Sequence, residues 1–532
     1  MSERNILNRV LGYIVLVVTI IILQPIAPCH AANFPLEITN IKPAGTGTPP
    51  IPSTNRIFRA YPGIEYNIRA AVIGGVYPYS YKLNNAPQGM TIKPSTGEII
   101  WPNPQADSGT ITLTVTDAET TTVTTTWSIQ VTTNGFLFVN ASYAGTETGT
   151  ITQPFSSIAS LLQKTSAANT TDITYFRGGN YTLIQFGSTY SKPGDVTGKY
   201  GTNLKSSSYT WIGYPGESVT INGDGRYMAS PLGLYFDSLD LKDFSDYGIQ
   251  TYSNISYMTI RRCNWSKIIA VNSVNENQGF FFTWDTGPGY YLVFQDNAFS
   301  DFTGTSAIGS LYGTKKTLIE NNHIFNAGGG GITGICIGIA PKYRTDYLTV
   351  RGNKVVMNSG IPLGAGLNAM MSNANNVEIC FNLFKRGTTT NGERAQAHIF
   401  NGDGYIATGV TKNLFYHRNT VIGDINFMFI NGTQCNASGP YNLNHNVMIN
   451  PNTTWAGNYY TVNFLSFNWG TSMDSNPTGC INDVDNLKGT LQDNIVDSEG
   501  NLTPAYLSAY FGTYGYQVGL PSPKLINIEL MP

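Results

Sequence analysis

Between residues 256 and 450, short runs of alternating apolar and polar residues recur without reaching helix length. Three copies are the clearest: residues 347–355 read YLTVRGNKV, residues 414–421 LFYHRNTV, and residues 441–448 YNLNHNVM. Aligning all copies gives one marker in each: Cys263, Asn297, Asn322, Asn353, Asn382, Asn419 and Asn446. Subtracting residue numbers gives spacings of 34, 25, 31, 29, 37 and 27. Three residues before each marker stands a mostly apolar residue: Ile260, Phe294, Ile319, Val350, Ile379, Tyr416 and Leu443. Two residues after it stands another: Trp265, Phe299, Ile324, Val355, Phe384, Val421 and Met448. The pattern predicts strand, turn and strand in every copy, with loops absorbing the differences in length. A repeat of about 30 residues with a constant core and elastic loops describes a stacked array.

Each such strand must pair with the next copy rather than within its own. Parallel ladders about 4.8 Å apart are therefore expected. The marker asparagines are expected at the turn, in the left-handed conformation, hydrogen-bonded to those above and below. The whole pattern resembles the right-handed parallel β-helix of pectate-lyase-like proteins, over roughly two-thirds of the chain. It implies a fold more strongly than an activity, because many functions sit on this scaffold.

Upstream the pattern changes. Residues 112–116 (TLTVT) and 127–131 (WSIQV) alternate as half-buried strands, and turn residues such as Gly74-Gly75, Asn84-Asn85, Ser95-Thr96-Gly97 and Asp107-Ser108-Gly109 separate the runs. That spacing predicts a small β-sandwich. Residues 86–90 (APQGM), 95–101 (STGEIIW) and 115–117 (VTD) resemble the immunoglobulin-like domains of bacterial surface proteins. The fold class expected is all-β, an N-terminal Ig-like β-sandwich followed by a right-handed single-stranded parallel β-helix. The expected divisions are a signal peptide over 1–31, a linker over 32–54 (with 41–54, rich in Pro, Gly and Thr, reading as an extended linker or a loose first strand), the sandwich over 55–133, the β-helix over 134–500, and a C-terminal cap and tail over 501–532. Phe155, Ile158, Leu161 and Leu162 share one helical face, as a cap over the open end of the array requires.

The first 31 residues carry Arg4 and Arg9, an apolar run from Leu11 to Leu23 and a small residue at Ala31. These are the marks of an export signal, so a secreted or cell-surface chain is expected, with no membrane insertion of the mature protein. The net charge of −2 and the scarcity of charged residues, 12% of 532, point away from nucleic acid. Of the six cysteines, Cys263, Cys336 and Cys380 fall within rungs and are expected as small packing residues, whereas Cys435 and Cys480 fall in later loops and could pair after export.

Candidate chemistry follows from the resemblance. It implies that the run before each marker phrase, at 247–252, 279–284, 306–312, 332–339, 367–372, 396–402 and 426–432, forms a first sheet with a substrate groove over it. The wall loops of the middle rungs would then be 340–346, 385–395 and 403–411. They hold Lys342, Tyr343, Arg344, Lys385, Arg386, Glu393, Arg394, Asp403 and Tyr405, with His398 on a strand between them. Cleaving a uronate polymer by β-elimination needs cations over the carboxylate and a base at the adjacent carbon. Arg394 and His398 are the candidate bases; Lys385 and Glu393 complete the catalytic set. Lys342, Tyr343, Arg344, Arg386, Asp403 and Tyr405 are the candidate substrate contacts. Hydrolysis needs two carboxylates at defined separation, and these strand runs contain none. The expected partner is an extracellular polysaccharide, and the function either a polysaccharide lyase or a non-catalytic adhesin or glycan-binding protein. Asp237, Asp240, Asp243 and Asp246, at intervals of three, are a candidate Ca²⁺ site, although that spacing does not put all four on one face of a strand. The stripe two residues before each marker (Arg261, Gln295, Glu320, Arg351, Cys380, His417, Asn444) reads as a solvated face, with Glu320 and Arg351 able to pair. The chain shows no phosphate-binding loop, zinc spacing or dinucleotide fingerprint.

Overall fold

The computed structural model describes residues 32–168, 172–184 and, discontinuously, strand-bearing segments between 202 and 484. The proposed signal peptide, Cys435, Cys480, Asn446 and the C-terminal tail lie outside the described residues.

The N-terminal domain is an Ig-like sandwich of antiparallel strands. Thr110–Thr116 shows how sequence sets its faces: Ile111, Leu113 and Val115 are buried, while the threonines between them are partly or fully exposed. It pairs with Ser80–Asn84 on one side and Thr122–Ser128 on the other. Tyr66–Arg69, Glu98–Trp101 and Thr91–Ile92 form a second sheet, and Ile68, Ile99 and Trp101 join Ile111, Leu113, Val115 and Trp127 in one core.

Residues 32–54, expected as linker, belong to this domain. Ala32–Ile38 pairs antiparallel with Val72–Gly75, and Ile38, Ile41 and Ile51 are buried in the sandwich core. The Pro- and Gly-rich composition hid isolated isoleucines that anchor the segment. Gly74 permits the pairing: its φ is +69°, and a Cβ there would lie 2.1 Å from the Pro35 carbonyl oxygen.

Beyond the sandwich, long parallel sheets stack rung on rung. Helix Ile158–Ala168 buries Ile158, Leu161 and Leu162 into the first rungs, as its apolar face predicts. One ladder contains the marker phrases: Thr259–Arg261, Val293–Gln295, Lys315–Glu320, Asp346–Arg351, Asn375–Cys380 and Lys412–His417, each parallel to the next. A second contains the strands after the markers, from Asn264–Ile269 to Leu383–Lys385 and beyond. A third contains the expected first-sheet runs, including Ser306–Leu311, Ile335–Pro341, Leu363–Met370, Gln396–Asn401 and Asp424–Met428. Where their side chains are described, the residues three before and two after the markers point inward. Ile260, Phe294, Ile319, Val350, Ile379 and Tyr416 form one buried column, and Trp265, Phe299, Ile324, Val355 and Phe384 another. Each such side chain contributes about 1.5–3 kcal/mol on burial.

The marker asparagines stack as expected. The Nδ2 of Asn297, Asn322, Asn353 and Asn382 donates to the Oδ1 of the next marker at 2.9–3.0 Å. It also donates to a carbonyl of the preceding rung, such as Asn353 Nδ2 to Ile319 O at 2.9 Å. Each Oδ1 in turn accepts a backbone N–H from the marker before it, as in Asn322 N to Asn353 Oδ1 at 2.9 Å. Every donor and acceptor of the amide is engaged. The left-handed residue, however, is not the marker but the one before it: Arg262, Asp296, Asn321, Gly352, Phe381 and Arg418 have φ between 49° and 65°. The turn is made one residue early, and the asparagine that follows it bonds along the stack. The same geometry reveals an earlier rung without asparagine, with Ser238 at φ 58° and Leu239 at the marker position.

Candidate functional site

The stripe two residues before the markers is not solvated. Asp237, Arg261, Gln295, Glu320, Arg351, Cys380 and His417 occupy consecutive register positions on the marker ladder, and each is at most 6% exposed. The sandwich covers them. Arg69 and Arg351 both hold Glu320, with Arg69 Nη2 to Glu320 Oε2 at 3.1 Å and Arg351 Nη2 to Glu320 Oε1 at 2.6 Å. Arg69 also pairs with Asp296. Arg351 donates further to the Tyr79 hydroxyl and the Val72 carbonyl, at 3.0 and 3.1 Å. Gln295 Nε2 donates to Ala70 O, and both terminal nitrogens of Arg261 donate to Asn67 Oδ1. The expected Glu320–Arg351 pair therefore exists, but as part of a buried seam between domains rather than on a wet surface.

Burial alone would raise the carboxyls of Glu320 and Asp296. The neighbouring guanidinium groups, Arg351 and Arg69 for Glu320 and Arg69 for Asp296, outweigh it and hold both below the usual carboxylate value. Burial likewise opposes the charge on Arg69, but Asp296 and Glu320 prevail and raise it. Glu320, Asp296 and Arg69 thus hold one another in their charged forms.

Among the described residues, Asp237, Asp240 and Asp243 do not gather into one ligand group. Asp237 is 1% exposed and holds Arg262 Nε at 2.8 Å and Arg261 Nη1 at 3.4 Å. Asp240 accepts from Asn264 Nδ2 at 2.6 Å, Asp243 stands 4.0 Å from Lys267, and the Asp246 side chain is outside the described set. With its carboxylate occupied by two arginines, Asp237 does not fit an oxygen cage for Ca²⁺.

Of the wall-loop candidates, Lys342, Tyr343, Arg386, Glu393, Arg394, Asp403 and Tyr405 lie outside the described residues. Arg344 is exposed in a turn with φ 60°. Lys385 closes the strand Leu383–Lys385, in register with Val356 and Ile422. His398 lies on Gln396–Asn401, between Leu367 and Ile425. The two residues therefore sit on different ladders.

One group of functional character was missed in the sequence. Glu378, Cys380 and His417 bring a carboxylate oxygen, a thiol sulfur and an imidazole nitrogen within 4.8 Å of one another, and all three residues are buried. Among the described residues it is the single such group of three or more. The signal was present: Cys380 and His417 fall at the same offset on consecutive rungs, and Glu378 lies two residues before Cys380, hence on the same face of the strand.

With this geometry in view, comparison with known proteins is decisive for one domain. Residues 46–132 match the family described as "Putative Ig domain". No curated protein matches the chain. Among solved structures, the chain is similar to PfbA, a surface adhesin of Streptococcus pneumoniae, at 8% identity over 54% of this chain and 85% of that one, with a TM-score of 0.25. It is similar to the catalytic domain of a GH87 alpha-1,3-glucanase in complex with nigerose, at 10% identity over 73% of this chain and 82% of that one, TM-score 0.17. It is also similar to a "putative alpha-galactosidase" from Bacteroides fragilis NCTC 9343, at 14% identity and TM-score 0.16, and spans 37% of that chain's length while covering 33% of its own. TM-scores this low carry no argument about function. Among the described residues no helix is long and apolar enough to cross a membrane.

Proposed function

We propose that the parallel stack is a right-handed β-helix of the pectate-lyase-like kind, and that the chain is a secreted or cell-surface protein that binds extracellular polysaccharide along its third ladder. The observation that carries this reading is the placement of the sandwich. It seals the marker ladder, while the ladder of Ser306–Leu311, Ile335–Pro341, Leu363–Met370 and Gln396–Asn401 continues in parallel register rung after rung. A long ladder of regular register suits a polymer, whose units repeat as the strands do. The sandwich itself is a weaker candidate: its cleft beside Phe58, Arg59 and Asp107 is lined by Trp127, yet that ring is 2% exposed and offers no stacking platform.

A second reading is cleavage by β-elimination. It is favoured by the excess of cations in the wall loops, Lys342, Arg344, Lys385, Arg386 and Arg394 against Asp346, Glu393 and Asp403. Arg394 or His398 would take the proton, and the other cations would clamp the uronate carboxylate.

The mature chain incubated with a panel of neutral and uronate polysaccharides, with and without calcium, separates the readings. Retention of a glycan without cleavage supports the binding protein. Ultraviolet-absorbing unsaturated product establishes the lyase, and new reducing ends without it a hydrolase. Neither binding nor cleavage across the panel overturns both readings.

A further inference from the structure

We propose that Glu378, Cys380 and His417 form a binding site for one zinc-class divalent cation, roofed by the docked sandwich. The three residues are held by register rather than by a flexible loop. Cys380 and His417 are direct partners on adjacent strands, and Glu378 shares their outward face. His417 Nε2 lies 3.1 Å from Glu378 Oε1. Zinc bonds of about 2.0–2.3 Å place tetrahedral ligand atoms roughly 3.3–3.8 Å apart, so small side-chain adjustments bring the three atoms into range. One sulfur, one nitrogen and one oxygen suit a borderline-soft ion and not calcium or magnesium.

A second observation points the same way. Glu378 Oε2 is buried and has no hydrogen-bond partner. A simple Glu378–His417 ion pair uses Oε1 and leaves that costly orphan unexplained. A nucleophilic Cys–His arrangement is disfavoured because Cys380 is fully buried beneath Val76 and Tyr77 of the sandwich and beside Phe381, where no substrate reaches. The other described thiol supplies the contrast. Cys263 occupies a marker position, donates its S–H to Arg261 O at 3.2 Å, and among the described residues has no comparable ligand group around it.

The test uses the mature full chain prepared with cobalt(II) as probe. One equivalent of cobalt is expected, with an intense thiolate-to-cobalt absorption that zinc abolishes on exchange. Cys263→Ala should retain the band and Cys380→Ser should lose it. Because Cys380→Ser could fail to fold, X-ray absorption at the zinc edge of the wild-type protein gives an independent reading, with a single sulfur among nitrogen and oxygen neighbours expected. A folded wild-type chain that takes up no cobalt, binds it without a thiolate band, or shows a sulfur-free zinc shell overturns the proposal.

Discussion

Two polar columns run side by side along the marker ladder, both buried and both in register from rung to rung. The inner one is built from Asn297, Asn322, Asn353, Asn382 and Asn419. It is neutral, uniform, and satisfied by its own members and the adjacent backbone. The outer one, from Asp237 to His417, mixes charged and neutral side chains and changes at every step, and it is completed by Asn67, Arg69, Ala70, Val72 and Tyr79 of the other domain. The first column depends on the repeat alone. The second is stable only because a different fold lies on it. Uniformity lets a stack extend, whereas variety ties it to one partner.

Removing a guanidinium from the outer column should have the largest effect. Arg351→Ala leaves Glu320 buried with Arg69 as its remaining cation, and breaking a buried pair costs about 3–5 kcal/mol. Denaturant unfolding should show this loss, with the sandwich more readily cleaved from the stack by protease. A cost below about 1 kcal/mol would show that the seam contributes little.

Acid should separate the columns next. The folded carboxyls of Glu320 and Asp296 lie below their ordinary values, so their contribution is complete above the unfolded carboxylate pKa of about 4 and declines as pH falls through the folded values. The melting temperature of the wild-type chain should fall on that limb, and Glu320→Gln should make the fall shallower. An unchanged slope in the variant would remove Glu320 from the explanation.

The inner column is then probed by Asn353→Ala. That change strips acceptors from the backbone N–H and Nδ2 of Asn322, at about 1–3 kcal/mol for a group left unsatisfied. Its cost, measured by denaturant unfolding, should be the same at pH 7 and about pH 3, unlike that of the outer column, whose carboxylates lose their contribution as pH falls below about 4.

The smallest effect is expected at the turn between the columns. Gly352 has φ +65°, and its nearest potential clash is at 3.9 Å. Gly352→Asn should therefore change stability by less than about 0.5 kcal/mol, while Gly352→Ala should cost about 1 kcal/mol, a difference in left-handed propensity that thermal melts can resolve.

The inner column was legible in the sequence because repetition exposes it: an asparagine that returns with the same apolar neighbours must do the same work each time. The outer column was invisible for the complementary reason. Arg261, Gln295, Glu320 and Arg351 share no residue type, and polar residues facing away from a core ordinarily face water. Their partners, from Asn67 to Tyr79, stand 194 to 279 positions away, and nothing within a rung announces them. Asp237 shows the same limit, since its spacing from Asp240 suggested a cage while its real neighbours are arginines of the following rung. Only the offset shared by Cys380 and His417 could have joined them before the fold was seen. The wall-loop candidates depend on long insertions whose shape no repeat dictates.

The irregularity of the outer column has a further consequence. Neighbouring strands are about 4.8 Å apart, and an identical set of rungs would let the sandwich settle equally well one step up or down. Here a one-step slide toward the N-terminus would set Arg69 against Gln295 in place of Glu320, and carry the Arg351 partners, Val72 and Tyr79, onto Glu320. The column thus works as a one-position key, giving a molecule made of near-copies a single address at which its unlike domain can sit.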